Sequence, residues 1–229
     1  HGWQRQPHRP TLQAAIEKAI CSIANVKTVS LIGAGRTDAG VHAAAQSAHF
    51  QLTKWVEPNR LLLGVNAVLP QDISVKSMEQ VDATFHARYL AQQKTYCYFI
   101  HNGPIRSPLQ QYTAWYLRVP LDIAKMRAAA KRLRGEHDFT SFTAAQNDAK
   151  SYRVTLQSIR IVKKGEQIVF TLVATRFLRY MVRNIVGILV EVGRGHRLAT
   201  EMAKILEAKD RRMAGPTAPP HGLCLMKVE

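Results

Sequence analysis

The apolar run Thr28-Val29-Ser30-Leu31-Ile32 ends abruptly in Gly33-Ala34-Gly35-Arg36-Thr37-Asp38-Ala39-Gly40. The run reads as a strand, and the glycines that follow forbid its simple continuation. A strand delivered into a glycine-rich loop holds the backbone still while presenting one short acidic side chain. That side chain is Asp38, two residues after Arg36 and two before Gly40. Nowhere else does the chain combine a lone acid with such tight backbone control.

The rest of the chain is strongly basic. It carries 32 Lys and Arg against 16 Asp and Glu, a net charge of +16. Such an excess points to a polyanionic partner, most commonly nucleic acid. The apolar fraction of 46% rules out a disordered basic tail, and 229 residues suffice for one large core or two modest ones. Cys21, Cys97 and Cys224 are far apart and lack CxxC spacing, which fits reduced thiols in a cytoplasmic protein. No apolar run reaches the roughly 18 residues needed to span a bilayer. Ile185 to Val192 comes nearest and is interrupted by Glu191. No signal peptide is visible, so membrane association is not expected.

Periodicity predicts alternating helices and strands. Thr11 caps a helix with Leu12, Ala15, Ile16, Ala19, Ile20 and Ile23 on one face. Ala45 to Leu52, Ile73 to Val81 and Arg88 to Ile100 read as strands, the last with Tyr96, Tyr98 and Ile100 on one face. A helix begins at Pro58. A basic helix follows Pro120-Leu121-Asp122 and runs through Leu133. Val154 to Val162 and Gln167 to Ala174 make a hairpin. A long apolar helix covers about Phe177 to Val192, with Arg179 and Arg183 one turn apart. A short helix near Thr200 to Ala208 and a final strand from Leu223 to Val228 close the chain. The break from His101 to Pro108 divides it into halves, 1–104 with the Asp38 loop and 105–229 completing a cleft. The expected class is α+β.

Several chemistries fit poorly. A phosphate-binding P-loop ends in Gly-Lys-Ser/Thr, whereas this loop has Arg-Thr-Asp. A dinucleotide fingerprint needs a third glycine opening a helix, and Asp38 would repel a pyrophosphate. Nine histidines are present, without an HExxH motif or a Cys/His cluster, so no metal is expected. A Ser/His/Asp triad stays open, although no GxSxG elbow occurs. What remains is an aspartate acting as nucleophile or base in a positive pocket, where a neighbouring arginine keeps it ionised.

Gly35-Arg36-Thr37-Asp38-Ala39-Gly40-Val41-His42-Ala43 resembles the signature of the TruA family of tRNA pseudouridine synthases. The resemblance continues in order along the chain. His1 to Gln6 is similar to the end of that family's first strand, whose Tyr-Asp-Gly start is not in this sequence. Phe85-His86-Ala87-Arg88 with Lys94-Thr95-Tyr96-Cys97-Tyr98 resembles a second motif, and Gly135 to Phe142 a third. Phe177 to Gly187 resembles a fourth, and Ala214 to Leu223 the closing one.

The resemblance implies a pseudouridine synthase fold, two α/β halves with mixed or antiparallel sheets flanking a basic central cleft, in a homodimer. It implies conversion of uridine to pseudouridine at nucleotide positions 38 to 40 of the tRNA anticodon stem-loop, with no cofactor and no metal. It makes Asp38 the catalytic aspartate, with Arg36 and Arg183 as active-site arginines and Arg183 pairing with Asp38. Tyr96 becomes the aromatic residue against the target base, and Leu223 an apolar wall. His42 and the Trp3 to Gln6 segment read as structural, the latter packed under the loop. Arg194, Arg197, Arg211 and Arg212 either grip phosphates or pair with nearby acids. The loop from Thr143 to Tyr152 is expected to be mobile near the substrate. The competing reading is a non-catalytic RNA-binding or RNA chaperone protein on the same fold, with Asp38 kept for structure.

Overall fold

The computed structural model describes residues 1–144 and 151–229. In chain order the elements are α1 (Leu12–Ala24), β1 (Ile32–Gly33), β2 (His42–Ala43), β3 (Ala48–His49), α2 (Pro58–Val68), β4 (Lys94–His101), β5 (Trp115–Tyr116), α3 (Ile123–Lys131), β6 (Gly135–Asp138), β7 (Arg153–Lys164), β8 (Gln167–Ala174), α4 (Met181–Gly193), α5 (Glu201–Ala208) and β9 (Leu223–Val228). They form two compact units: residues 1–40 with 46–91, and residues 41–45 with 92–229. The division corrects the expected boundary at 104/105. β4 is paired on both sides within the larger unit, so the chain leaves the smaller unit ahead of it. Residues 145–150, within the loop expected at Thr143 to Tyr152, lie outside the described residues.

The smaller unit is built on α1 and α2. Thr11 caps α1 as expected, its hydroxyl accepting the Ala14 N–H at 3.4 Å, and Asn25 ends it in the left-handed conformation. Ile20, Ala24, Leu61 and Val65 join Trp3, Val29 and Leu31 in a common core. The expected strand at Thr28–Ile32 shortens to β1, which pairs with β3 through Ile32↔His49 and Gly33↔Ala48. The cause lies on α1. Glu17 accepts the Leu31 N–H at 2.9 Å, and the Gln13 amide donates to the Leu31 carbonyl at 3.0 Å. Side chains thus take the bonds that a neighbouring strand would use. Arg5 closes the arrangement with an ion pair to Glu17 at 2.7 Å. Glu17→Ala leaves a buried N–H without its acceptor. It is expected to cost about 1–3 kcal/mol, read as a lower midpoint of urea unfolding.

A second corrected element is Ile73 to Val81, which is not a strand. Here the Asn66 amide holds both the N–H and the carbonyl of Val75, each at 2.8 Å. The expected strand at Arg88–Ile100 starts only at Lys94, and that at Ala45–Leu52 is reduced to β3.

The larger unit is a mixed seven-stranded sheet in the order β2-β9-β4-β8-β7-β6, with β5 paired to β4. β2 runs parallel to β9 and β5 parallel to β4; the other pairs are antiparallel. Lys94, Tyr96, Tyr98 and Ile100 are buried along one side of β4, as two-residue periodicity requires. Tyr98, Ile100, Phe170 and Leu172 of the sheet share a core with Met126 and Ala129 of α3 and Ile185, Ile188 and Leu189 of α4. Asp122 caps α3, accepting the Lys125 N–H at 3.0 Å. Lys164 and Gln167 are paired across the turn of the β7–β8 hairpin, where Gly165 takes a positive φ of 57°. The chain is therefore an α+β protein. Among the described residues no helix is long and apolar enough to cross a membrane.

Candidate active site

In the smaller unit the Asp38 loop is clamped by its backbone. Ala34 donates its N–H to the Ser47 carbonyl at 2.8 Å, and Trp3 donates its N–H to the Thr37 carbonyl at 3.0 Å. The Gln46 amide donates to the Gly35 carbonyl at 2.9 Å. Two glycines permit the fit. At Gly33 a Cβ would lie 2.6 Å from the Trp3 ring, so the indole packs directly on the strand end. At Gly2, with φ of 84°, a Cβ would lie 2.8 Å from the Thr37 carbonyl oxygen. The Trp3 segment therefore does pack under the loop. Thr37 is buried, Asp38 half-buried and Arg36 exposed. A fixed backbone thus carries a carboxylate and a guanidinium two residues apart.

In the larger unit Arg183 sits in the first turn of α4 and is half-buried. Its Nε donates to the Ala218 carbonyl at 2.7 Å, and Ala218 returns an N–H to the Arg183 carbonyl at 3.1 Å. The Arg183 guanidinium also lies 5.0 Å from the Tyr180 ring centre, and the Arg179 guanidinium 4.9 Å from the same ring. Tyr180 has φ of 65°, a left-handed conformation that a bulky residue adopts at a cost. It stops the expected long helix, which begins at Met181 rather than Phe177. Tyr96 is only 6% exposed and meets Phe177 edge-to-face at 5.0 Å. Leu223 opens β9 directly opposite Tyr98 and is buried.

The closing segment from Ala214 to Leu223 is stitched to this region. Arg211 donates to the Gly215 carbonyl at 2.7 Å, to Thr217 Oγ1 at 2.7 Å and to Asn184 Oδ1 at 2.9 Å. Thr217 Oγ1 donates to Asn184 Oδ1 at 2.6 Å, and the Asn184 amide donates to the Phe142 carbonyl at 2.7 Å. Tyr98 donates its hydroxyl to the Pro219 carbonyl at 2.8 Å. Burial pushes the Tyr98 phenol far above its ordinary pKa, more than the nearby Arg183 charge lowers it, so it remains a donor. Arg183 and Tyr98 therefore grip successive carbonyls of one segment, and Leu223 follows it.

Arg36 and Asp38 thus share one clamped loop, and Arg183 on α4 bonds the closing segment that ends in Leu223. Tyr96 lies on β4 two residues before Tyr98. Sequence reasoning missed Tyr180, Asn184 and the role of Arg211. The one-turn spacing of Arg179 and Arg183 was the available hint to the first, since both flank the same tyrosine. Of the four candidate phosphate arginines, three pair with acids: Arg194 with Glu191, Arg197 with Glu201 and Arg212 with Asp210. His42 Nε2 lies 2.7 Å from the Tyr112 carbonyl, in keeping with a structural role. Among the described residues no three His, Cys, Asp or Glu side chains are grouped to hold a metal ion.

Comparison with known proteins covers the loop and the closing segment alike. The sequence pattern of the tRNA pseudouridine synthase family matches residues 2–90 and 129–229. The chain is 45% identical over 230 residues to tRNA pseudouridine synthase A of Pseudomonas aeruginosa, a match spanning 100% of this chain and 80% of that protein. It is 42% identical over 229 residues to the protein of the same name from Bordetella petrii, with 85% of that protein covered. The Shouchella clausii protein of that name is 41% identical over 228 residues, with 87% covered.

Proposed function

Because this chain belongs to the tRNA pseudouridine synthase family, we propose that it isomerises uridine to pseudouridine in the anticodon stem-loop of tRNA, at nucleotide positions 38 to 40, with Asp38 as the catalytic group. The observation that carries the reading is the loop itself. Asp38 stands on a backbone held by Trp3, Gln46 and Ser47, within residues that match the family. Such fixation places a reacting group before the substrate arrives, which is worth much of a barrier.

The reaction breaks the glycosidic bond between uracil N1 and ribose C1′, turns the base, and forms a bond from C5 to C1′. The C5 proton is lost and N1 gains one, so no atoms or electrons are exchanged with a second substrate. Attack on the sugar, attack on the base and removal of a sugar proton all draw on the same carboxylate. The target leaves the helical stack first, at a cost of a few kcal/mol. Arg36 and Arg183 bind the displaced nucleotide, Tyr96 lies against its base and Leu223 supplies an apolar wall. The net charge of +16 supports a polyanionic substrate. The working form is a cytoplasmic homodimer, and the three cysteines, none in a disulfide, fit a reducing compartment.

Incubation with unmodified tRNA transcripts tests the reading. Pseudouridine is expected within positions 38 to 40, mapped by carbodiimide-dependent primer extension. Transcripts that gain no pseudouridine there refute it.

A further inference from the structure

We propose that the cavity beside Arg36 in the smaller unit is a second nucleotide subsite, which takes an unstacked base and its phosphate from the same RNA; the inference rests on the tRNA reading above. The cavity measures about 250 Å³ and is lined by residues that include Trp3, Gln13, Arg36, His86, Arg88 and Tyr89. Tyr89 is 79% exposed, an unusual state for a large aromatic, yet it is not loosely held. Its ring lies 4.2 Å from the His86 ring at 30°. His86 Nδ1 in turn accepts the backbone N–H groups of Arg88 and Tyr89, at 3.2 and 3.3 Å.

The support continues one layer deeper. The His86 ring lies 4.6 Å from that of His49, whose Nδ1 accepts the Ala87 N–H at 3.1 Å. Burial, and then the proximity of His86, lower the His49 pKa, in keeping with a neutral acceptor ring. An exposed aromatic plate is thus held at a cavity that Arg36 and Arg88 also line. That combination suits a nucleotide better than an apolar partner. A base stacks on the plate whatever its identity, and its phosphate takes the guanidinium charge. Arg36 links the subsite to the chemistry, since it lines the cavity and stands two residues from Asp38. The nucleotide held here is a neighbour of the target.

The test measures tRNA affinity by filter binding for Tyr89→Ala and Tyr89→Phe, beside isomerisation by the unaltered protein. Tyr89→Ala is expected to raise Kd about 5- to 150-fold, and Tyr89→Phe to stay within about 2-fold. Tyr89→Trp reports contact directly, through quenching of its emission beyond that of the unaltered protein when tRNA binds. Arg88→Gln is expected to reduce the slope of log Kd against log salt concentration by about one. An unchanged Kd for Tyr89→Ala, in a protein that isomerises tRNA normally, overturns the subsite and leaves the function intact. Failure of the unaltered protein to form pseudouridine overturns the functional reading, while the affinity comparison still decides whether Tyr89 touches RNA.

Discussion

Asp38→Asn is expected to abolish pseudouridine formation, lowering turnover by about 10⁴-fold or more, as loss of an essential reacting group does. Its affinity for tRNA is expected to stay within about 3-fold, because phosphate contacts by Lys and Arg dominate binding. The substitution is nearly isosteric, and backbone bonds on both sides of Asp38 hold the loop. Trp3 holds Thr37, Ser47 holds Ala34 and Gln46 holds Gly35. The loop therefore keeps its shape while its one carboxylate becomes an amide that can neither attack nor accept a proton. Single-turnover isomerisation with saturating enzyme, alongside filter binding, separates the two effects. Full turnover by the amide variant would remove Asp38 from the chemistry, whereas tRNA binding without pseudouridine formation by the unaltered protein would reduce it to an RNA-binding module with Asp38 kept for structure.

Gly187→Ala is expected to produce the largest structural effect of a single methyl group. A Cβ at Gly187 would lie 1.9 Å from the Pro216 carbonyl oxygen and 3.0 Å from its carbonyl carbon. Both obstacles are backbone, so no rotamer change relieves the clash. Either α4 or the closing segment must move, and overpacking of this severity costs at least about 3 kcal/mol. For a chain of this size that corresponds to a melting temperature lower by about 6–12 °C. Activity falls further than stability alone would dictate. The displaced segment carries the Ala218 carbonyl that receives Arg183 and the Pro219 carbonyl that receives Tyr98. Gly193→Ala is the matched control on the same helix. There the nearest obstacles are the Met126 sulfur and Cγ, at 2.6 and 2.9 Å, on a flexible side chain rather than on backbone. Calorimetry on both variants, with isomerisation assayed well below either melting temperature, checks the contrast. Equal, small losses for the two would show that α4 and the closing segment can separate without harm.

The elements most legible in the sequence were those whose own periodicity and caps decide them. Thr11 and Asp122 begin α1 and α3 where their side chains suggest. The alternation of Tyr96, Tyr98 and Ile100 marks β4, and Gly165 marks the hairpin turn. Three of the shortened or missing strands share one physical cause. Leu31, Val75 and the 88–89 backbone all lie in apolar or alternating runs, yet Glu17, Gln13, Asn66 and His86 satisfy their backbone groups. A side chain that replaces a strand partner leaves no trace in hydrophobic spacing. The start of α4 was misplaced for a related reason, since nothing in the pattern from Phe177 to Val192 reveals that Tyr180 turns left-handed. The Asp38 loop could be recognised because its constraint is local glycine. The Arg183 site could not be built from sequence, because its acceptor is 35 residues downstream.

That separation bears on synthesis. As the chain leaves the ribosome, Arg183 emerges well before Ala218, and β4 is complete long before β9, the strand that pairs with one of its edges. Until then β4 presents an open edge to whatever else is nearby, a known route to mispairing between chains. Translation arrested between α5 and β9 therefore yields not a weakened enzyme but a sticky intermediate, with the Asp38 loop already made and the helix of Arg183 still waiting for its acceptor.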